Sequence, residues 1–545
     1  MPTITLNKRE FERLVGKKLQ LEKLKNRISY LGTDLEDIKT NEINLEIFPN
    51  RPDLLSEQGF ARAFSSFIGV KTGLRKYSVK KSNHKVIIHS SLKDIRPYTA
   101  CAIIKNLRLD DEKIKQIIQI QEKLHITYGR NRKKIAIGIY PFEKIKTPIY
   151  FKAEDPSKIK FLPLEYPTEL TGSQILSKHK AGREFGHLLE NYKKYPIFID
   201  SNNNILSMPP IINSELTGKI TQKTKDVFIE CSGFDLRILQ KCLNIIVTAL
   251  ADMSGIIYSM ELKYENKTIT TPNLTPEKIN LDLNYVNKIL GLSLTEKQIK
   301  KYLERMGYDY KNKTVLIPAY RTDILHQIDL IEDIAIAYGY ENFKQEIPKV
   351  ATIASESKME ILKNKIAEIL MGLNLTEVST YALSNNHIQN TFMNTSLSLI
   401  HLKNSVSSDY NVLRMWLTPS LLEVLKNNKH NEYPQNIFEI STIFKTGTSE
   451  THTQENERLC ILLHDKNTNF TVIKQILDYL FSSLNLKYSI NETEHPSFIP
   501  GRVARISHNN KEIAYIGEIH PSVLKNFGLE LPVAALELNL TELFN

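Results

Sequence analysis

The sequence predicts a multidomain α+β protein. Its 545 residues exceed what one hydrophobic core usually organises and indicate about three to five domains. Helical stretches and strand-like runs share the chain without an internal repeat, and two polar segments, 76–85 and 265–280, are predicted linkers between blocks. The composition, with 41% hydrophobic and 24% charged residues, is ordinary for a soluble globular protein.

The first block, residues 1–85, is predicted to be an N-terminal α/β region. Two helical stretches come first, and the second carries apolar residues at helical spacing from Leu21 to Leu31 before Gly32 stops it. A strand and a further helix follow. Pro52 suits the first position of that helix, because the N–H that proline lacks has no partner there.

The second block, residues 86–264, is predicted to be an α+β domain of a size that one core can organise. Strand-like runs dominate it. Helical stretches interrupt these runs near 111–127, 173–178 and 233–252.

Two further blocks complete the chain. Residues 270–345 are predicted to be a helical domain with a short strand at 313–317, and residues 355–545 to be another α+β domain. Arg414 and Trp416 lie among apolar residues in a predicted strand-to-helix segment of the last block. We expect these two side chains to stabilise the fold or an interface.

Basic residues outnumber acidic ones along the whole chain. The 72 Lys and Arg against 61 Asp and Glu leave a formal net charge of +11, spread rather than gathered in a tail. Such a charge permits a polyanionic partner such as RNA without requiring one. The basic cluster from Arg130 to Lys134 is compatible with contacts to nucleic-acid phosphates and equally with a solvated loop.

The cysteines indicate a reducing compartment. Cys101, Cys231, Cys242 and Cys460 form no C-x-x-C pair, so neither a zinc site nor a disulfide framework is predicted. The sequence contains no apolar run long enough to cross a bilayer and no apolar signal core at its start. We therefore expect a cytoplasmic protein without a membrane partner.

Carboxylates cluster on one predicted helix. Asp329, Glu332 and Asp333 are spaced i, i+3, i+4, so a helix places them on one face, and Gly339 ends the run as a C-cap. Asp323 lies at or just ahead of the helix start. Hard carboxylate oxygens gathered in this way suit Mg²⁺, whereas most acidic helix faces are only solvated. Spacing alone leaves both interpretations open.

Several short strings, in order along nearly the whole chain, carry a family resemblance. They are Glu46–Ser56, Tyr128–Lys134, Ile137–Tyr140, Leu206–Glu215, the acidic helix, Val412–Leu417, Asn427–His430 and Ile516–Pro521. Together they resemble the β subunit of phenylalanyl-tRNA synthetase, in its shorter archaeal and eukaryotic form. One such string would be weak evidence, whereas the ordered set is strong.

The resemblance implies a class II ligase built as an α₂β₂ heterotetramer. In this family the α subunit holds the adenylation site, ATP is a substrate of the complex and tRNA(Phe) is the acceptor. Residues 355–545 then correspond to a class II synthetase-like antiparallel sheet domain lacking the catalytic motifs, and residues 270–345 to a winged-helix-like domain. The glycines of 355–545 agree, because they form no Gly-x-Gly-x-Gly-x-x-Arg string of the kind that holds ATP.

The resemblance also implies that residues 86–264 are an editing domain. Phenylalanine and tyrosine differ by one hydroxyl, and a hydrophobic pocket rejects such an addition by only about a hundredfold, so mischarged Tyr-tRNA(Phe) needs a hydrolytic site. The matching positions, together with polar residues of the adjoining loop, are Phe198, Ser207, Asn213, Ser214, Glu230 and Ser232. We expect Glu230 to accept a hydrogen bond from the tyrosyl hydroxyl. The alternative is a surface carboxylate, because Glu230 is predicted to end a strand.

The same resemblance makes the acidic helix a predicted magnesium site. Asp323, Asp329, Glu332 and Asp333 match the family's Mg²⁺ ligands, which are shared with the α subunit. Four carboxylates around one cation indicate an ion that stiffens a subunit boundary rather than one that performs adenylation.

Two other functions compete with the editing β subunit. A free-standing tRNA deacylase would need only the editing block, but it has no use for a large subunit-pairing domain. A nucleic-acid-binding regulator would use residues 270–345 as a winged helix, but its recognition helix would be the acidic one and would repel phosphate. We therefore expect a β subunit with editing activity.

Overall fold

The computed structural model describes residues 2–347 and 354–544. The chain divides into two compact units, Met1–Ile347 and Pro348–Asn545. Both combine helices with sheets, which confirms the expected mixed multidomain class. The finer division into domains stays a prediction.

The first unit begins with a small sheet and its helices. Its elements are β1 (Thr3–Asn7), α1 (Lys8–Val15), α2 (Leu21–Tyr30), β2 (Asp34–Ile38), β3 (Glu42–Glu46) and α3 (Glu57–Phe67). The strand order is β1-β3-β2. Asn7 caps α1 by accepting from the N–H groups of Arg9 and Glu10, and Gly16 ends this helix at φ 80°.

Two details of this region differ from the expectation. Strands β1 and β2 were not predicted, because each is short and gains its partner only by pairing with β3. Pro52 begins a 3₁₀ turn, Pro52–Leu54, rather than the helix itself. The helix α3 starts after Ser56, whose hydroxyl accepts from the N–H of Gly59 at 3.0 Å.

A long mixed sheet dominates the middle of the first unit. Its strands, with one separate pair, are β4 (Val79–Lys80), β5 (Lys85–Ile88), β6 (Tyr98–Lys105), β7 (Ile135–Pro141), β8 (Ile149–Glu154), β9 (Lys160–Phe161), β10 (Leu170–Thr171), β11 (Tyr195–Ile199), β12 (Ile205–Met208), β13 (Ile212–Asn213), β14 (Val227–Gly233), β15 (Ile256–Lys263) and β16 (Thr268–Thr271). The accompanying helices are α4 (Asp111–Ile126), α5 (Gly172–Lys178), α6 (Lys180–Phe185), α7 (Glu215–Gly218) and α8 (Leu236–Asp252). The sheet order is β13-β12-β11-β8-β5-β15-β6-β14-β7, with β16 and β4 also paired to β15, while β9 pairs with β10 separately.

Alternation along β14 separates two cores. Val227 and Ile229 belong to the core that includes α8 residues, whereas Phe228 belongs to a second core on the opposite face. Successive side chains of a strand point to opposite faces, so Glu230 and Ser232 share the face of Phe228.

The sheet curls until its ends approach each other. β7 and β12 lie at or near opposite ends of the strand order, yet the hydroxyl of Tyr140 on β7 is 2.8 Å from Oγ of Ser207 on β12. The core enclosed by this curl includes Phe151, Phe198 and Phe228.

The end of the first unit is mainly helical, as predicted. Its elements are β17 (Glu277–Asn280), α9 (Leu283–Leu290), α10 (Glu296–Arg305), β18 (Asp309–Lys311), β19 (Thr314–Ile317) and α11 (Gln327–Tyr338). The prediction of a linker at 265–280 was wrong in part, because this segment contains β16 and β17. Exposed residues alternate with less exposed ones in both strands, and most of the side chains are polar. By composition the segment therefore resembles a linker. The acidic helix is confirmed as α11, and Gly339 follows it.

The second unit is built on one large sheet. Its elements are α12 (Lys358–Gly372), β20 (Thr376–Glu377), β21 (Leu383–Ser384), β22 (Ile400–His401), β23 (Val412–Leu413), α13 (Thr418–Asn427), β24 (Gln435–Thr446), β25 (Thr453–His464), α14 (Phe470–Ser483), β26 (Ser489–Glu492), β27 (Phe498–His508), β28 (Lys511–Ile519), α15 (Pro521–Phe527), β29 (Val533–Asn539) and α16 (Leu540–Phe544). The sheet order is β20-β24-β25-β29-β28-β27-β26, antiparallel except between β20 and β24. Helices α12 and α14 contribute to one core and α13 and α15 to another.

A buried ion pair connects the elements of this unit. Arg414 is 1% exposed and its Nη1 lies 2.9 Å from Oε1 of Glu439 on β24. Its Nε donates to the carbonyl of Thr442 at 3.0 Å, and the indole N–H of Trp416 donates to the carbonyl of Gln389 at 3.3 Å. Both side chains are thus bonded within the unit, and their stabilisation of the fold stays a prediction.

Two absences follow from the described residues. The four cysteines are all buried and free, as predicted for reduced thiols. Among the helices that the structure describes, none combines the length and apolarity needed to cross a membrane.

Candidate functional site

Glu230 lies in the middle of a buried strand. β14 runs between β6 and β7, and Glu230 stands opposite Cys101 on one side and Gly138 on the other. Only 2% of the residue is exposed. The alternative of a surface carboxylate at a strand end is therefore wrong.

A tyrosine hydroxyl joins three of the predicted site residues. Tyr140 Oη lies 2.8 Å from Ser207 Oγ, 3.2 Å from Glu230 Oε1 and 3.4 Å from Asn213 Oδ1. Tyr140 stands in one of the family strings, but the sequence alone assigns it no role. The signal available was its period-two spacing from Gly138, which places the two residues on one strand face.

Ser232 contacts a buried arginine that the sequence did not indicate. Arg96 donates through Nε to Ser232 Oγ at 3.2 Å and through Nη2 to the Ser232 carbonyl at 2.8 Å. Burial lowers the pKa of Arg96 to about 10, although the nearby Glu230 opposes that shift. Arg96 therefore supplies a positive charge near the carboxylate.

Phe198 and Ser214 lie beside this cluster rather than in it. Phe198 is fully buried and stacks on Phe151, with ring centroids 4.1 Å apart. The backbone N–H of Ser214 donates to the Leu206 carbonyl at 2.8 Å, which attaches the loop to β12. Of the six predicted residues, the structure thus brings Ser207, Asn213 and Glu230 together and places the others around them.

A small cavity of about 120 Å³ opens onto Glu230. Its wall includes Asn213, Arg132 and residues 209–212. The volume approaches that of the roughly 150 Å³ engineered cavity that holds a benzene molecule. The scale is that of one aromatic ring.

The other titratable side chains in the cavity wall already form hydrogen bonds within the protein. Arg132 donates through Nη1 to the carbonyl of Ile211 at 2.8 Å and through Nη2 to Glu122 at 3.3 Å. His125 accepts from the N–H of Ile137 at 2.8 Å, and burial lowers its pKa. Arg132 is therefore part of the wall, while Arg130 and Lys133 of the same basic loop are exposed.

Glu230 itself has an oxygen without a partner. Its Oε2 is buried and forms no hydrogen bond, whereas Oε1 lies near Tyr140. Burial raises the pKa of Glu230 to about 8, against the lowering effects of the Arg96 charge and of the Tyr140 and Ser232 hydroxyls. The carboxyl group is therefore largely protonated near neutral pH, and one of its oxygens has no hydrogen-bond partner within the protein.

At the acidic helix, Arg321 is the counter-ion for two predicted metal ligands. It is 3% exposed, and its Nη2 lies 2.7 Å from Oδ2 of Asp323 and 2.8 Å from Oδ2 of Asp333. Tyr308 also donates its hydroxyl to Asp333. Burial alone would raise the pKa of Asp323, but Arg321 lowers it to about 2.

The other two acidic residues have different roles. Asp329 Oδ2 accepts from the N–H groups of Leu325 at 2.7 Å and His326 at 2.8 Å, which caps α11. Glu332 is exposed; partial burial and then the charges of Asp333, Asp329 and Asp323 raise its pKa. The oxygen donors suit Mg²⁺ chemically. Within the described ranges, however, no group of three or more His, Cys, Asp or Glu side chains is placed to hold a metal ion.

Comparison with known families defines the class of protein. Residues 279–340 match the family model "tRNA synthetase B5 domain", and residues 344–540 match "Phenylalanyl tRNA synthetase beta chain CLM domain". The first match covers the segment with the acidic helix and the second covers most of the second unit. These domains are those of an aminoacyl-tRNA synthetase.

Full-length relatives narrow the class to one family. The chain is 43% identical to the phenylalanine–tRNA ligase β subunit of Pyrococcus abyssi over 558 aligned residues, which cover 100% of both chains. It is 40% identical to that of Methanocaldococcus jannaschii, over 99% of this chain and 100% of the relative. The chain belongs to the phenylalanine–tRNA ligase β subunit family.

A solved structure agrees with this assignment. The chain resembles the crystal structure of an N-terminal fragment of the phenylalanyl-tRNA synthetase β subunit from Pyrococcus horikoshii, with a TM-score of 0.60 and 44% identity. The similarity covers 62% of this chain and 100% of that fragment.

Proposed function

We propose that this β subunit removes tyrosine from mischarged Tyr-tRNA(Phe) at the cavity beside Glu230. The observation that carries the proposal is that Glu230, whose buried Oε2 has no partner, lines a cavity on the scale of one aromatic ring. A tyrosyl ring in this cavity would bring its hydroxyl to a carboxyl oxygen that lacks a partner. A phenylalanyl ring would leave that oxygen unsatisfied.

Hydrogen bonding sets the size of this discrimination. Leaving a buried polar group unsatisfied costs about 1–3 kcal/mol, which corresponds to about a 5- to 150-fold preference for tyrosine. Ser207 and Ser232 are the candidates for holding the ester or the attacking water. The Ser207 hydroxyl contacts Tyr140, and the Ser232 hydroxyl accepts a hydrogen bond from Arg96.

Replacement of Glu230 tests the proposal. In the purified complex, Glu230→Ala is expected to lower the rate of Tyr-tRNA(Phe) deacylation at least tenfold, and Glu230→Gln to lower it less, because the amide still offers a hydrogen-bond partner. Glu122→Ala is a matched control, since its carboxylate lies in the same cavity wall but is already paired with Arg132. Undiminished hydrolysis by Glu230→Ala removes Glu230 from the site.

The ligase reaction is proposed to take place on a partner subunit. We infer that this chain assembles with a phenylalanine–tRNA ligase α subunit as an α₂β₂ heterotetramer, in the cytoplasm, and supports ATP-dependent attachment of Phe to tRNA(Phe) there. The absence of an ATP-binding glycine string from 355–545, in a region that matches a synthetase β-chain domain, supports this division. Co-expression with a candidate α subunit tests it. Full aminoacylation by α alone would show that this chain is dispensable.

Magnesium at the acidic helix is a separate proposal. Asp323, Asp329, Glu332 and Asp333 would hold the ion together with groups of the α subunit. Partial burial and then the neighbouring carboxylates raise the pKa of Glu332, and a cation would offset that repulsion. The pairing of Arg321 with two of the four carboxylates opposes a cation there.

A double variant distinguishes the two interpretations of the acidic helix. Asp329→Ala with Glu332→Ala is expected to loosen assembly with the α subunit at low Mg²⁺. Glu304→Ala is the control, because this half-buried carboxylate on α10 pairs only weakly with Lys300 at 3.8 Å. Assembly of the double variant that is unchanged across a Mg²⁺ titration would leave only the solvated face.

The free-standing deacylase remains the competing function. It predicts a chain that is stable and hydrolyses Tyr-tRNA(Phe) without any partner. The C-terminal match to a synthetase β-chain domain favours the subunit instead. Size-exclusion chromatography with and without the α subunit, followed by the deacylation assay on each fraction, separates the two.

A further inference from the structure

We propose that Tyr140 is a positioning residue that determines the tyrosine selectivity of this site. Its hydroxyl holds Oε1 of Glu230, so that Oε2 is the oxygen left for the hydroxyl of the incoming tyrosyl group. The inference rests on the proposed editing function. It adds a residue that is not among the six predicted for the site.

The tyrosine is locked in place by its surroundings. Its side chain is fully buried and its ring is stacked on Phe228 across the strand pair, with centroids 5.7 Å apart. The ring lies along β7 over Gly138, where a Cβ atom would come within 2.0 Å of the Tyr140 hydroxyl oxygen. Glycine is therefore required at 138 for the phenol to reach Glu230. The hydroxyl has no room to leave its position without repacking the core.

The hydroxyl also closes the curled sheet at the site. It lies 2.8 Å from Ser207 on β12 and 3.4 Å from the side-chain oxygen of Asn213 on β13, while its own strand is at the other end of the strand order. Tyr140 thus connects the two ends of the sheet, β7 and β12, beside Glu230. Removing its oxygen affects the orientation of Glu230 and the position of Ser207 together.

The hydrogen-bond partners of the two Glu230 oxygens explain the selectivity for tyrosine. One carboxyl oxygen of Glu230 faces the hydroxyl of Tyr140, and the other is buried and unpartnered. While Oε1 faces Tyr140, Oε2 is the oxygen that remains for a ligand. The remaining oxygen can be satisfied by a tyrosyl hydroxyl but not by a phenylalanyl ring. Without Tyr140, a water molecule or a rotated Glu230 would remove that difference.

The test is Tyr140→Phe in the purified complex, measured as the ratio of kcat/KM for deacylation of Tyr-tRNA(Phe) to that for Phe-tRNA(Phe). We expect this ratio to fall about tenfold, the effect of losing one buried hydrogen bond to a carboxyl group. The ratio is independent of the fraction of folded protein, so a loss of stability alone would not change it.

A matched control has the same chemical change elsewhere in the domain. Tyr264 is partly buried, and its hydroxyl donates to the carbonyl of Thr99 at 3.3 Å without touching Glu230. Tyr264→Phe should leave the ratio unchanged. If Tyr140→Phe leaves the ratio unchanged while Glu230→Ala lowers hydrolysis at least tenfold, the role of Tyr140 is overturned and the proposed function stands. If neither substitution affects hydrolysis, both proposals are overturned.

Discussion

Replacing Arg414 by Met tests the buried ion pair of the second unit. Arg414 and Glu439 have side chains that are both 2% exposed, and their charged atoms are 2.9 Å apart. Removing one partner of a buried pair leaves an uncompensated charge and typically destabilises by about 3–5 kcal/mol.

The environment of Glu439 sets the expected value within that range. Its carboxylate keeps two donors after the substitution, the Thr380 N–H at 3.2 Å and the Thr380 hydroxyl at 2.7 Å. The carbonyl of Thr442 and the hydroxyl of Ser441 lose the arginine as a donor. We therefore expect the lower end, about 3 kcal/mol.

Hydrogen exchange of backbone amides in β24 and β25 measures the effect. A loss of about 3 kcal/mol corresponds to roughly 150-fold faster exchange where opening of the unit limits it. Combining Arg414→Met with Glu439→Gln should restore most of the protection, because no buried charge remains.

An exposed pair in the same unit provides the control. Lys474 and Asp478 are 2.8 Å apart on α14 with side chains 37% and 47% exposed. Lys474→Met should change exchange by less than about threefold, since such pairs contribute little. Exchange in Arg414→Met that stays within threefold of wild type would refute the reasoning and would indicate that Arg414 serves an interface instead.

Further predictions concern the first unit. Because burial raises the pKa of Glu230 from 4.5 to about 8, its contribution to stability is present below about pH 4.5 and is lost as the pH rises towards 8. Melting temperatures of Glu230→Gln should therefore lack that part of the wild-type pH dependence. Gly138→Ala should destabilise by about 1–3 kcal/mol in denaturant unfolding, because the added methyl overlaps Tyr140, whereas Gly186→Ala has only ordinary contacts and should be nearly neutral. If the basic loop binds tRNA, Lys133→Ala should reduce the slope of log affinity against log salt by about 1, and a solvated loop predicts no change.

Local sequence patterns predicted much of the secondary structure. Helix α11 was predictable because its carboxylate spacing and the stop at Gly339 lie within one short stretch. Strands β6, β7 and β14 were predictable because each is an apolar run of β-forming residues. Strands β16 and β17 were missed because alternating exposure gives them the composition of a linker.

The candidate site could be predicted only in part from the sequence. The family strings identified Ser207, Asn213 and Glu230 as a group, although nothing local to them shows that they meet. Tyr140 is 67 residues from Ser207, and Arg96 is 136 residues from Ser232. Contacts at such separations depend on how the sheet curls, which no local pattern encodes.

Family membership, the order of the elements and the acidic helix were thus legible in the amino-acid sequence, because motifs and periodicity are properties of neighbouring residues. The tertiary structure decided the charge and exposure of the functional groups. It buried Glu230 in mid-strand with one free oxygen, placed Tyr140 against the other, and paired Arg321 with Asp323 and Asp333. These outcomes follow from packing, since desolvation and the nearest partners of a side chain are set by residues distant in sequence.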